Sequence, residues 1–318
     1  MLEVRNLRVH FTTKRGTGRA VDGVSFRLER GETLGLVGES GCGKSITALS
    51  VLGLNPRPAS EVVGGEVELE GENLLTFSNK EMRQVRGKRI SMILQDPLTS
   101  LNPVLTIGRQ VGEPLRLHRN MGSEASRARV IELLRQLHIP EPESKLGAHP
   151  HEFSGGMRQR VVGATALAAD PDLLIADEPT TALDVTLQAA FLAHLRQIQR
   201  ERDLAILFIT HDFSIVAKMC DRVAVMYAGK IVETGPTADI LSSPRHPYTR
   251  ALLESVPSVD RGRQRLDSIA GSPPPIYELP QGCTFAPRCS FATDRCRQSY
   301  PLQFDIAADH SASCWLLE

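Results

Sequence analysis

The segment Gly38-Glu39-Ser40-Gly41-Cys42-Gly43-Lys44-Ser45 places three glycines, a lysine and a hydroxyl in the pattern G-x-x-x-x-G-K-[ST]. Glycines let a backbone wrap so closely that successive amides point at phosphate oxygens. A helix starting at the lysine adds its positive dipole end. Lys44 is then expected on the β- and γ-phosphates of a nucleotide, and Ser45 on Mg²⁺. Thr33 to Val37 reads as a strand before the loop, and Ile46 opens an apolar helical run after it. An ordinary glycine-rich turn has no need of Lys-Ser at this spacing.

Two further clusters carry chemistry. Leu173-Leu-Ile-Ala-Asp177-Glu178 is an apolar strand ending in two carboxylates. Asp177 is placed to bind Mg²⁺, and Glu178 to orient or deprotonate an attacking water. Alone, the pair also fits helix N-terminal acids before Pro179. Four of the six cysteines, Cys283, Cys289, Cys296 and Cys314, crowd into the last 36 residues. Their spacings are not the paired x2 knuckles of structural zinc ribbons. Four thiolates suit a [4Fe–4S] cluster or Zn²⁺. Cys42 and Cys220 stand far away in sequence and are not expected as ligands. Arg288 and Arg295 could offset the charge of a cluster, but solvated arginines are the simpler expectation.

The elements that must position these groups are legible in part. Strands are expected over Leu2 to Phe11, Val21 to Leu28, Glu66 to Leu69 and residues 89–94, supported by alternation and turn residues. From about Leu101 to Ala148 the character turns helical. Ser123 to Leu137 places Val130, Leu133, Leu134 and Leu137 on one face. Strand and helix then alternate again: Leu173 to Ala176, Val185 to Arg202, Ala205 to Thr210. The expected class is α/β, a phosphate-loop cassette with a mixed sheet and a helical insertion at about 97–160. Two domains are expected, 1–240 and 241–318. The second is an irregular extension rich in proline (Pro244, Pro247, Pro257, Pro273, Pro274, Pro275, Pro280) that carries the four-cysteine site. Closure of the core before about residue 240 implies that the extension and the phosphate loop act independently.

Bulk properties exclude several roles. Lys plus Arg and Asp plus Glu number 37 each, so no basic excess points to nucleic acid. Apolar residues make up 41%, enough for a core. No stretch approaches the roughly 20 apolar residues of a spanning helix, and Met1 to Arg5 lacks the apolar region of a secretory signal. A membrane role is expected to come through partners.

Three more segments complete a resemblance. Phe153-Ser154-Gly155-Gly156-Met157-Arg158-Gln159-Arg160 precedes an alanine-rich helix, His211-Asp212 follows the Ala205 strand, and Gln95 ends the strand before the insertion. With the loop and the acidic pair, in this order, they resemble the ATP-binding cassette family over about residues 2–240. The resemblance implies that Ser154, Gly155 and Gly156 grip the γ-phosphate of a second cassette's ATP. Thr180 to Asp184 would line that interface. His211 would be the switch histidine beside the γ-phosphate and water, and Gln95 would touch Mg²⁺. Phe11 is the candidate for stacking on adenine, the alternative being a core Phe in an edge strand. Met157 stands where the family most often has Gln.

His246-Pro247-Tyr248 and Gly282 to Cys289 resemble the oligopeptide and dipeptide importer branch, which implies an iron–sulfur centre at the four cysteines, with zinc as alternative. It further implies ATP and Mg²⁺ as cofactors and peptide import at the cytoplasmic face of the membrane. The expected partners are a related second cassette chain, two permeases and an extracytoplasmic binding protein. Import of nickel chelates or other small ligands is the alternative. A soluble cassette acting on DNA or ribosomes is a second class, disfavoured by one cassette, no sustained heptads and zero net charge, and a redox- or metal-sensing module with the cysteine cluster as sensor and the ATPase as output is a third.

Overall fold

The computed structural model describes residues 1–255 and 269–318, with the side chains of Pro97 and Leu98 excepted. Pro257 lies outside the described residues. The chain divides into two compact units, one of residues 1–28, 33–75 and 209–318, the other of 29–32 and 76–208.

In the first unit, Leu2–Thr13 is paired on both sides, antiparallel to Gly16–Leu28 and to Ser60–Leu69. Its inward residues Leu2, Val4, Leu7 and Val9 are fully buried. The strand Thr33–Val37 is buried at every position and runs parallel to Arg222–Tyr227. A strand covered on both faces reads as an unbroken apolar run, which is why it is legible. Arg222–Tyr227 pairs antiparallel with Lys230–Pro236, so parallel and antiparallel ladders meet in one sheet.

The extension is more regular than expected. Phe304–Ala307 and His310–Ala312 form an antiparallel pair, and the latter pairs with Lys230–Pro236, setting Glu233 opposite Ala312 and Thr234 opposite Ser311. The short helices Thr237–Ser242 and Pro247–Glu254 lie between.

The second unit contains the helical insertion and the acidic strand. Helices Ile107–Arg119, Ser123–Gln136 and Gly155–Leu167 form the insertion. Val130, Leu133, Leu134 and Leu137 are all buried, as the spacing predicts. Asp170 ties this unit together. Its carboxylate accepts from Arg129 at 3.1 Å and from Arg202, and its backbone oxygen from Arg119 at 3.2 Å. Ile90–Ile93 lies parallel to Leu173–Asp177, and Val185–Arg202 is the long helix that follows. The strand Ala205–Thr210 ends just before His211.

Candidate nucleotide site

The loop 38–43 joins the strand Thr33–Val37 to the helix Lys44–Val51. Gly38 has φ 153°, and a Cβ there would stand 2.2 Å from the Met226 carbonyl oxygen. Gly43 has φ 107° and would meet the Ala20 oxygen at 2.4 Å. Only glycine fits either place. Over Gly41 no heavy atom lies within 4 Å of a Cβ position. The loop is thus packed tightly beneath and open above, a cradle suited to phosphate.

Lys44 Nζ donates to the backbone oxygens of Gly38 (2.7 Å) and Glu39 (2.9 Å), and lies 3.6 Å from Cys42 Sγ. Its ammonium is held at the loop, 6% exposed. Cys42 is 1% exposed, and burial pushes its thiol pKa up. Ser45 and Ile46 sit half-buried in the first turn of the helix, and Ser40 is exposed at the tip.

Glu39, expected at the nucleotide with the rest of the loop, has partners that the sequence does not announce. Its backbone N–H donates to Tyr248 Oη at 2.9 Å. Its carboxylate receives two bonds from Arg288, Nη1 to Oε2 at 2.7 Å and Nη2 to Oε1 at 3.0 Å. Arg288 is therefore not a solvated arginine: 5% of its side chain is exposed. Nor is the extension independent of the loop, because Tyr248 and Arg288 both reach it. These contacts span 209 and 249 residues of sequence, and no local pattern announces them. Arg295 does face solvent, stacked 3.7 Å over the Trp315 ring and paired with Glu318.

In the second unit Asp177 is buried at the end of its strand, 4% exposed. Glu178 follows in the left-handed region, φ 46°. Gln95 Nε2 donates to Glu178 Oε2 at 3.0 Å, and Thr181 Oγ1 lies 3.3 Å from the same oxygen. Gln95 and Glu178, 83 residues apart in sequence, are thus brought together. Ser154 caps the helix Gly155–Leu167, its Oγ accepting from the Met157 N–H at 3.3 Å. Met157 contributes its backbone there, so the departure from Gln costs that cap nothing. Gly156 lies beside Leu183, whose Cδ2 would be 3.2 Å from a Cβ. Asp184 caps Val185–Arg202 through the Leu187 N–H at 2.9 Å.

Back in the first unit, His211 is exposed at the strand end, and Asp212 caps the next helix through the Ser214 N–H at 2.7 Å. Phe11 is half-buried opposite Gly18 and Ser60. Its strand has neighbours on both sides, so the edge-strand alternative does not hold.

All six cysteines are free thiols. Cys283, Cys289, Cys296 and Cys314 line one small apolar pocket with Phe285 and Trp315. Burial pushes the Cys283 thiol up to about 11 and raises those of Cys289 and Cys314. Among the described residues, however, no group of three or more His, Cys, Asp or Glu stands at metal-holding positions. The four cysteines share a pocket, but the structure does not show the expected four-cysteine metal site among the described residues. Cys220 is buried against Gly35, away from that pocket. Among the described residues no helix is long and apolar enough to cross a membrane.

Comparison with known proteins agrees with this geometry. Residues 21–181 match the ABC transporter family and 232–296 the oligopeptide/dipeptide transporter C-terminal region. The chain is 50% identical over 316 residues to a dipeptide transport ATP-binding protein of Bacillus subtilis, covering 99% of this chain and 94% of the relative. It is 49% identical over 318 residues to an oligopeptide transport ATP-binding protein of the same organism, covering 100% and 89%. Among solved structures, a dimeric post-hydrolysis state of an ATP-binding cassette bound to ADP and Pi superposes with a TM-score of 0.69. It is 26% identical, and the match covers 74% of this chain and 99% of that one. A cradle built on Gly38 and Gly43, an acidic strand end, a capped Ser-Gly-Gly helix and full-length identity near one half converge. The chain belongs to the ATP-binding cassette ATPases of the oligopeptide/dipeptide transporter family.

Proposed function

We propose that this chain is the ATP-hydrolysing subunit that powers import of dipeptides or oligopeptides across the cytoplasmic membrane. The observation that carries the reading is one chain that matches the ABC transporter family over residues 21–181 and the oligopeptide/dipeptide transporter C-terminal region over 232–296. Relatives matched over almost their whole length are named for dipeptide and oligopeptide transport.

Each residue then has a task. The amides of 38–45 cradle the phosphates, and Lys44 neutralises the β- and γ-oxygens. Ser45, Gln95 and Asp177 would hold Mg²⁺, which would supply Lewis-acid stabilisation of the transferring phosphoryl group. Glu178 takes the proton of the attacking water, and His211 hydrogen-bonds that water and the γ-phosphate. Gln95, bonded to Glu178, is poised to pass changes in the site to the helical insertion. Phe11 stacks on adenine. Ser154, Gly155, Gly156 and Asp184 face the nucleotide of a second, related cassette chain, with which this one closes head-to-tail. Two permeases and an extracytoplasmic binding protein complete the assembly, and this chain sits peripherally at the cytoplasmic face.

A second reading concerns the cysteine pocket. Four free thiols on one apolar cavity fit the donor set of a [4Fe–4S] cluster, with Zn²⁺ as the alternative. Cys283, Cys289, Cys296 and Cys314 would hold it after releasing their protons. Its role would be structural, ordering a segment poor in apolar residues.

The functional reading is tested by the chains that co-purify from detergent-solubilised membranes. Two polytopic permeases and a second cassette chain are expected. Recovery with ribosomes or DNA instead would overturn it.

A further inference from the structure

Glu39 is held at three points. Tyr248 takes its N–H, Arg288 grips its carboxylate, and Lys44 donates to its backbone oxygen. The first two holds come from the C-terminal extension, the third from the phosphate-binding lysine. One residue of the loop therefore links the extension to Lys44.

The outer holds are rigid. A guanidinium has five N–H donors, and Arg288 directs them at five acceptors. Besides the two Glu39 oxygens these are Tyr227 Oη (3.3 Å) and the backbone oxygens of Ala270 (2.9 Å) and Ile269 (3.3 Å). Tyr227 and Tyr248 are fully buried, with ring centroids 4.5 Å apart. Phe285 packs on both, at 5.2 Å and 5.3 Å. Tyr248 stands in the first turn of Pro247–Glu254, whose cap is His246. Arg288 ends the turn Ala286–Arg288, between Cys283 and Cys289. The residues that order the cysteine pocket thus also fix the two side chains that hold the loop.

We propose that Arg288 and Tyr248 are positioning residues of the nucleotide site, and that the C-terminal extension braces the phosphate loop through Glu39. The proposal rests on the placement of nucleotide phosphates at residues 38–45. The brace fixes where the Glu39 carbonyl sits and so where Lys44 points. Loosening it lets the loop amides and the ammonium scatter, and phosphate binding bears the cost of re-ordering them. The state of the cysteine pocket is felt at the nucleotide, because Arg288 is the immediate neighbour of Cys289.

The test is equilibrium binding of a fluorescent ADP analogue to the full-length chain, with thermal melting recorded in parallel. Tyr248→Phe keeps the packed ring and removes the acceptor. Arg288→Lys keeps the charge and replaces the fork with a point donor. Each is expected to weaken binding roughly tenfold, the size of one lost hydrogen bond to a charged or buried group. Combining Arg288→Lys with Glu39→Gln should weaken binding no further than the stronger single change, since both act on one contact. Lys44→Ala serves as control and should abolish binding. A lowered melting temperature with unchanged affinity in both variants would reduce the two residues to structural support and overturn the brace. So would additive effects in the double variant. If Arg288→Lys fails to fold, Tyr248→Phe decides alone. Undiminished binding by Lys44→Ala would remove the nucleotide from the loop, and the brace with it.

Discussion

Glu178 occupies a left-handed backbone conformation, φ 46°, that a side chain with a Cβ rarely adopts. Such a residue costs on the order of 1–3 kcal/mol and persists only where its surroundings enforce it. Here it follows a strand buried at every position, and Gln95 holds its carboxylate. Glu178→Gln keeps the shape and removes the base. ATP binding should persist while hydrolysis falls roughly 10²- to 10⁴-fold. Near-normal turnover of the variant in the assembled transporter would take the general-base role from Glu178. At this scale the sequence was informative because phosphate chemistry demands rare combinations: Lys44 and Ser45 after spaced glycines, Asp177 and Glu178 after an apolar run. The partners of Glu39 were not legible in this way. Glutamate is ordinary in a loop, and its partners Tyr248 and Arg288 meet it only through the folded chain.

Element-level agreement follows the same physics. Strands covered on both faces, such as Leu173–Asp177 and Thr33–Val37, announce themselves by composition. His310–Ala312 does not. Its sequence His-Ser-Ala is polar, yet all three residues are buried, because His310 Nε2 pairs with Glu233 Oε1 at 2.8 Å. A strand buried by a partner rather than by its own apolarity leaves no periodic signal.

The helix Pro247–Glu254 carries an acid-sensitive cap. His246 is 2% exposed, and burial pushes its pKa down to about 3. Its Nδ1 accepts the Tyr248 N–H at 3.1 Å, which requires the neutral ring. An unfolded histidine takes its proton near pH 6.5. Below that pH the unfolded state binds the extra proton and the folded one does not, down to about 3. Stability contributed by His246 is therefore full above about pH 6.5 and falls as pH drops toward 3. Amide exchange in residues 246–255, corrected for intrinsic rates, should quicken at pH 5 relative to pH 7.5. Equal protection at both would remove the neutral-cap argument. The helix Gly155–Leu167 supplies a second element-level prediction. Ser154→Arg places a bulky cation at its capped start. The subunit should fold, and hydrolysis should be lost at the partner cassette's site rather than its own, as read by mixing variant and intact subunits. Loss confined to the variant's own site would contradict the composite arrangement.

At the scale of the whole molecule, the extension and the phosphate loop share one compact unit. The sequence suggests independence because the cassette core is expected to close before about residue 240. Long-range pairing of Arg288 with Glu39 is the physical reason that expectation fails. The proposed metal centre at the four cysteines is tested by anaerobic purification. Iron and sulfide are expected at about four each per chain, with a brown colour. Cys289→Ser should remove the colour and loosen the extension. It should weaken nucleotide binding as well, through the neighbouring Arg288. Stoichiometric zinc without iron would contradict the iron–sulfur assignment and leave the four-ligand site standing.

The most direct measurement is ATP hydrolysis and peptide accumulation by the purified assembly in proteoliposomes, with and without peptide-loaded binding protein. Wild-type chain is expected to hydrolyse ATP faster when the loaded binding protein is present and to accumulate peptide. Glu178→Gln should bind ATP yet lose both responses, by roughly 10²- to 10⁴-fold in hydrolysis. Hydrolysis indifferent to peptide, or peptide accumulation that survives Glu178→Gln, would contradict an ATP-driven peptide importer built on this chain.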